Sequence, residues 1–327
     1  MLQVAFAGTF SAALEPSVRA RLLTPCHVIL GDEVGIVPRL ADVDVLVTAT
    51  FNREMAAAAK RLKLVQVPGA GLDRIDCSAL SAATSLANAY GHEVGIAEYV
   101  IGVMLAMTRR FCPIDAALRR GSWVSQWGVD TAPPLPWPEL AGKTLGILGH
   151  GRIGHALAHR ARAFDMAVYA IRRDVAGSSA GLAFLGGPDA LHDVLRRADY
   201  LAVTLSLNDQ TRGLIQAREL SLMKPTAVLV NVARAEIVDE DALYGALRER
   251  RIAGAALDVW YRYPTEPGSL LPSRRAFHEL PNVLMTPHVS GWTDGMLEAR
   301  ATLIAENIRR TAAGERPENM VPSASVG

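Results

Sequence analysis

The stretch Thr144-Leu-Gly-Ile-Leu-Gly149-His-Gly151-Arg-Ile-Gly154 decides how this chain is read. An apolar run, Thr144–Leu148, leads straight into G-x-G-x-x-G, and Ile153, Leu157, Ala161 and Phe164 then recur at helical spacing. Strand, glycine turn and helix in that order are the context a dinucleotide-binding turn requires. Gly149 permits the tight turn, Gly151 lets the backbone approach a pyrophosphate, and Gly154 lets helix and strand pack closely. The helix that opens at Arg152 and Ile153 offers free N–H groups and the positive end of its dipole to phosphate.

Downstream of the turn the apolar runs continue as Ala167–Ile171, Tyr200–Leu205, Ala227–Asn231, Gly254–Val259 and Val283–Thr286, with helical patterns between most of them. With Thr144–Leu148 they predict six parallel strands, a complete dinucleotide-binding sheet. The second of these strands should end near an acidic residue if a ribose 2′-hydroxyl is to be bound. The chain has Arg172 and Arg173 there, and a guanidinium suits a 2′-phosphate. That favours NADP(H). The competing reading keeps NAD(H), with Asp174 serving from a shifted position.

Upstream, the runs Leu2–Ala7, Val28–Leu30, Val45–Thr48, Leu64–Val67 and Ser85–Ala87 alternate with helical stretches such as Asn52–Leu62, and predict a second parallel α/β sheet. A long helix follows from about Gly95 to Arg110. Thr131–Pro138 holds four prolines in eight residues and cannot be regular structure. The last helix, about Thr293 to Arg310, puts Leu297, Ala301, Ile304 and Ile308 on one face and is expected to return to the first domain. The chain is therefore divided into a discontinuous domain, 1–110 with 293–327, and a dinucleotide-binding domain, 111–292. The fold class is α/β, two domains, each a parallel sheet with flanking helices.

Composition narrows the function classes. The 327 residues are half hydrophobic, and 34 basic against 33 acidic side chains leave a formal charge of +1. Neither a nucleic acid nor an anionic membrane is an expected partner of so balanced a chain. Cys26, Cys77 and Cys112 are widely spaced and read as reduced thiols of a cytoplasmic protein, with no metal site. The N-terminus lacks the basic start of a secretory signal, and Ile96–Met107 is too short to span a bilayer.

At this point the sequence resembles the D-isomer-specific 2-hydroxyacid dehydrogenases, a family that includes NAD-dependent formate dehydrogenases. The resemblance rests on Leu140–Gly154, Leu222–Arg234, Ile237–Leu243, Ala256–Val259 and Thr286-Pro-His288, in that order over nearly the whole chain. It implies a Rossmann cofactor domain inserted in a flavodoxin-like substrate domain, a site in the cleft between them, and a homodimer. It implies that Arg234 binds and polarises a 2-keto or 2-hydroxy acid and that His288 is the general acid/base. Residue chemistry agrees, since a planar guanidinium suits a carboxylate and an imidazole exchanges protons near neutral pH. Leu205, Ser206, Thr211, Val232, Ala233, Asp258 and Gly291 are the further cofactor contacts it implies.

The family's glutamate, which pairs with the histidine, falls on a departure. Counting five residues from Asp258 reaches Tyr263, before Pro264; Glu266-Pro267 lies three residues on. Glu266 is the expected acid, with Tyr263 and Glu279 as the other candidates. Pro68–Asp73 matches the loop whose Ala70, Gly71 and Leu72 N–H groups bind the substrate carboxylate. Tyr90, His92 and Glu93 precede the long helix, as a polar cap or as specificity determinants; Trp292 is read as lining the pocket. His155 and His159 read as solvated, and His27, His192 and His278 share no metal-ligand spacing.

The expected activity is hydride transfer between NADPH, with NAD(H) possible, and a small 2-keto acid of the glyoxylate or hydroxypyruvate type. Two alternatives stand beside it: a formate-dehydrogenase-like enzyme, and a dinucleotide-sensing co-repressor without turnover.

Overall fold

The computed structural model describes residues 1–128, 135–175, 179–264, 268 and 271–322. Glu266 and residues 131–134 of the proline-rich segment lie outside the described residues. The chain divides into two compact units: Met1–His92 with Trp292–Gly327, and Glu93–Gly291.

The first unit holds five parallel strands, Leu2–Ala7 (β1), Cys26–Gly31 (β2), Val45–Thr48 (β3), Leu64–Gln66 (β4) and Ser85–Ala87 (β5), in the order β2-β1-β3-β4-β5. That is the flavodoxin-type order. Helices Thr9–Arg19 (α1) and Arg53–Ala58 (α2) belong to it, the second capped by Asn52, whose side chain accepts from Met55 N. Successive side chains of a strand point to opposite faces. So Val4, Phe6, Val45 and Val47 enter one apolar layer and Ala5, Ala7 and Leu46 the other. Burial on both faces is why these strands read as near-continuous hydrophobic runs.

The second unit opens with helices Glu93–Thr108 (α3) and Phe111–Arg119 (α4), then alternates through Thr144–Leu148 (β6), Arg152–Arg162 (α5), Ala167–Ile171 (β7), Phe184–Gly186 (β8), Leu191–Arg197 (α6), Tyr200–Val203 (β9), Ala217–Leu222 (α7), Val228–Asn231 (β10), Glu240–Arg248 (α8), Gly254–Leu257 (β11) and Val283–Met285 (β12). The sheet order is β12-β11-β10-β9-β6-β7-β8, all parallel. It has seven strands, not the six expected. The extra one, Phe-Leu-Gly at the sheet edge, is too short and too poor in β-branched residues to stand out in the sequence.

The order reverses between β6 and β9, the switch point at which open α/β sheets bind ligands outside their carboxyl ends. The register puts Leu148 beside Val203, so the turn after β6 lies against the end of β9.

The long helix groups with the second unit, whereas the sequence assigned it to the first. Ile96, Val100, Ile101, Val103 and Met104 share a core with Leu157, Ala158 and Ala161 of α5. The last helix, Asp294–Ala313 (α9), belongs to the first unit: Ala301, Ile304, Ala305 and Ile308 pack with Val4, Phe6, Leu14 and Val18. Thr293 caps its start, accepting from Met296 N, and Gly314 ends it in the left-handed region.

Among the described residues no helix is long and apolar enough to cross a membrane, and no group of three His, Cys, Asp or Glu could hold a metal ion. Cys26, Cys77 and Cys112 are free thiols.

Candidate active site

The glycine turn joins β6 to α5. Gly149 has φ +105°, and a Cβ there would lie 2.9 Å from the Leu205 nitrogen and from the Thr204 carbonyl. Glycine is needed twice over, for the left-handed backbone and for the close approach of the chain leaving β9. The Thr204 hydroxyl donates to Gly149 O at 2.8 Å, and Gly149 N and His150 N both donate to Ile171 O at 3.0 Å. The turn is thus tied to the strands on either side. A Cβ at Gly154 would stand 2.5 Å from Gly149 O, whereas one at Gly151 would point into open space. The open space at Gly151, together with the N-terminus of α5, fits the diphosphate of a dinucleotide.

Arg172 and Arg173 follow β7, where the adenosine ribose of such a ligand would lie; Arg172 N donates to Gly186 O at 3.0 Å. Beside them His150 is only 8% exposed, and neither ring nitrogen has a hydrogen-bond partner among the described residues. Its ring meets that of His155 edge-on at 5.8 Å. Burial first, then the charges of His155 and Arg172, hold its imidazole below the ordinary histidine value. The expected cofactor residues beyond β9 form one loop, in which the Thr211 hydroxyl donates to Ser206 O at 2.7 Å. Val232 and Ala233 are buried at the end of β10.

Arg234 leaves that strand half-buried. Its carbonyl accepts from Asn231 Nδ2 at 3.0 Å, and its Nη1 donates to Ala233 O at 2.8 Å. His288 follows β12 in the left-handed region, φ +57°, a conformation that costs a non-glycine residue about 1–2 kcal/mol. Tyr263 stands between these two groups chemically. Its hydroxyl lies 2.9 Å from His288 Nδ1, and its phenol feels the charge of Arg234. Partial burial pushes that phenol up; the hydrogen bond from Trp260 N and the Arg234 charge oppose the rise. The structure therefore joins Tyr263 to His288, which follows β12, and sets Arg234 at the carboxyl end of β10 in the same sheet.

Asp258 is fully buried, and its carboxylate accepts from the Thr286 hydroxyl at 2.6 Å and from Val289 N and Ser290 N at 2.9 Å each. Trp260 Nε1 donates to Thr286 O at 2.8 Å. These bonds grip the turn that carries His288 on both sides. Glu279 sits exposed on the turn before β12, 3.8 Å from His278. His192 pairs with Glu219 at 3.2 Å, and His27 with Gln3 at 2.9 Å.

In the first unit, Asn88 Nδ2 donates to Ala70 O at 3.0 Å and Ala89 N to Gly69 O at 3.0 Å, which shapes the loop of Ala70, Gly71 and Leu72. Arg300 of α9, 6% exposed, donates through Nε to Tyr90 O at 3.2 Å and through Nη2 to His92 Nδ1 at 2.9 Å. An arginine can only donate, so His92 accepts at Nδ1 and carries its proton on Nε2. The guanidinium also lies 5.5 Å from the Phe10 ring centre, and Phe10 meets Trp292 at 5.7 Å. Gly91, φ +98°, has no alternative, because a Cβ would come within 2.7 Å of Ala299. Arg300, Phe10, Tyr99 and Trp260 are contributors that sequence reasoning did not single out.

A Rossmann sheet with this turn, joined to a flavodoxin-type sheet, defines a dinucleotide-dependent oxidoreductase. The model of the D-isomer specific 2-hydroxyacid dehydrogenase NAD-binding domain matches residues 101–290, and the chain belongs to that family of NAD(P)-dependent enzymes. It is 34% identical over 300 residues to a D-3-phosphoglycerate dehydrogenase of Methanocaldococcus jannaschii, covering 89% of this chain and 54% of that protein. The chain thus spans about half the length of that relative. It is 35% identical over 285 residues to a glyoxylate reductase of Thermofilum pendens, covering 84% and 79% respectively. Among solved structures, an NADPH-dependent glyoxylate/hydroxypyruvate reductase from Sinorhizobium meliloti, in complex with citrate, superposes with a TM-score of 0.81 at 27% identity. That match covers 99% of this chain and 98% of the other.

Proposed function

We propose that this chain reduces a small 2-keto acid of the glyoxylate or hydroxypyruvate type to the 2-hydroxy acid, with NADPH favoured over NADH. The observation that carries the reading is the hydrogen bond between the Tyr263 hydroxyl and His288 Nδ1, on a phenol that also feels the charge of Arg234 at the end of β10. A nicotinamide bound on this sheet supplies hydride to the carbonyl carbon of the acid. Arg234 binds the carboxylate and polarises the carbonyl, and His288 delivers the proton that the new hydroxyl needs. Tyr263 holds the imidazole by Nδ1. Within the first unit, the N–H groups of Ala70, Gly71 and Leu72 are proposed to bind a carboxylate, and Tyr90, His92 and Trp292 to select the acid. Glu266 is the carboxylate assigned to charging the histidine.

Arg172 and Arg173 support the NADPH preference, since each guanidinium can grip a 2′-phosphate by two hydrogen bonds. Gly149, Gly151, Arg152, Ile153 and Gly154 hold the diphosphate. Leu205, Ser206, Thr211, Val232, Ala233, Asp258 and Gly291 shape the rest of the cofactor bed.

The chain is further proposed to act as a homodimer in the cytoplasm. Phe111, Leu118, Trp123 and Trp127, on and after α4, are 51–80% exposed, a patch that a second copy would cover. The three free thiols suit a reducing compartment.

Turnover of glyoxylate, hydroxypyruvate and pyruvate with each cofactor tests the reading, with formate and NAD(P)+ as a further arm. Reduction of none of the keto acids would sink it. Formate oxidation alone would select the formate-type reading.

A further inference from the structure

The turn bearing His288 is held in a strained backbone conformation, φ +57°. Such residues persist where the surrounding structure over-determines them. What over-determines this one can be traced away from the reacting groups. Asp258 takes Val289 N and Ser290 N on its two oxygens, and also takes the Thr286 hydroxyl proton at 2.6 Å. The Thr286 oxygen is in turn 2.6 Å from the Tyr99 hydroxyl. An ionised carboxylate only accepts, so the proton of Thr286 goes to Asp258 and that of Tyr99 to Thr286. The direction of the chain is fixed: Tyr99 to Thr286 to Asp258, which gathers the N–H groups just after His288.

Tyr99 stands on α3, whose Ile96, Val100, Val103 and Met104 pack with Leu157, Ala158 and Ala161 of α5. The same α5 begins at the glycine turn. Burial, with a smaller push from the Asp258 charge, raises the Tyr99 phenol to about 12 against the hydrogen bond with Thr286, so it remains a donor at every working pH.

We propose that Tyr99 is a positioning residue: through Thr286 and Asp258 it locks the left-handed turn of His288 to the helix pair that carries the cofactor turn. The inference rests on the reading of His288 as the acid/base. A loosened turn leaves both binding sites intact but lets the imidazole wander from the carbonyl oxygen. Displacement on the ångström scale costs turnover rather than affinity.

The test is a set of four variants, Tyr99→Phe, Thr286→Val, Thr286→Ser and the double Tyr99→Phe/Thr286→Val, with His288→Ala in parallel. Steady-state kinetics and NADPH binding by fluorescence are measured on each. Tyr99→Phe is expected to lower kcat about ten- to a hundredfold, with KM and the NADPH Kd changed by less than about twofold. Thr286→Val should do the same, Thr286→Ser should restore most of the loss, and the double variant should be no worse than Thr286→Val, because both act in one chain. Wild-type kcat in Tyr99→Phe overturns the proposal, as does a parallel loss of kcat and cofactor affinity, which would mean plain packing. If Tyr99→Phe does not fold, equal kcat in Thr286→Ser and Thr286→Val overturns it instead. Full turnover in His288→Ala would remove the reading of the site itself, whereas an inactive His288→Ala beside an unaffected Tyr99→Phe rejects the positioning role alone.

Discussion

The Tyr263 hydroxyl and the Nδ1 of His288 are 2.9 Å apart, a hydrogen bond at the position where the family pattern leads one to look for a carboxylate. A neutral phenol orients an imidazole without favouring its charged form. Tyr263→Glu would place an opposite charge there, and an opposite charge raises the histidine. His288 would keep its proton to higher pH, so the high-pH limb of kcat/KM for keto-acid reduction should move up by about one unit. Glu266→Gln should move that limb down if Glu266 supplies the charge. A limb insensitive to Tyr263→Glu but lowered by Glu266→Gln would give the whole acid role to Glu266.

Removing the proton donor tests the chemistry directly. His288→Ala should lower kcat about 10²–10⁴-fold, the range for losing a positioned general acid. Arg234→Ala should raise KM and lower kcat together, because in the proposed mechanism the guanidinium both holds the acid and polarises its carbonyl. Near-normal turnover in either variant rejects the assignment.

The proposed preference for NADPH turns on Arg172 and Arg173, after β7. Arg172→Ala/Arg173→Ala should weaken NADPH by the loss of two charge-assisted contacts, about 1.5–3 kcal/mol each at most. NADH affinity should be nearly unchanged in the same titrations. Tighter NADH binding by the unaltered protein would show that Asp174 or the backbone serves the ribose.

His150 makes a stability prediction. Its imidazole is held below its ordinary value in the fold, so the unfolded chain takes up a proton more readily. The resulting penalty is absent well above the ordinary histidine value and grows as pH falls through it. His150→Leu removes that penalty, and with it two buried unpaired nitrogens, at about 1–3 kcal/mol for each unmade bond. Thermal melts should therefore show His150→Leu gaining over the unaltered protein, and gaining more at pH 5.5 than at pH 8. A Tm difference independent of pH would contradict the buried neutral state.

The strands of both sheets, the edge strand β8 apart, were legible because burial on two faces leaves little but apolar residues. The glycine turn was legible because its backbone demands are local: a positive φ at Gly149 and a close approach at Gly154. Other features depend on partners distant in sequence. α3 is apolar on nearly all sides, so no stripe declares which sheet it joins. Tyr99 meets Thr286 across 187 positions, and nothing local to either announces the bond. Arg300 occupies what reads as a polar position of the last helix, yet it is buried against Phe10, Tyr90 and His92. Tyr263 was visible as a departure from a pattern, but only geometry places its hydroxyl on the imidazole.

The return of α9 to the first sheet has a consequence for synthesis. Val4, Phe6, Val45, Val47 and Leu64 share their apolar layer with Ala301, Ile304 and Ile308, which leave the ribosome only after all of Glu93–Gly291. Until then the nascent first unit has one sheet face without that cover, while the glycine-turn unit has all of its strands and helices and can fold first. A chaperone that shields an apolar sheet, or slow emergence of α9, should then change the yield of native protein. Stalled chains ending before Asp294 should accordingly be cleaved by protease within the first 92 residues while Glu93–Gly291 resists.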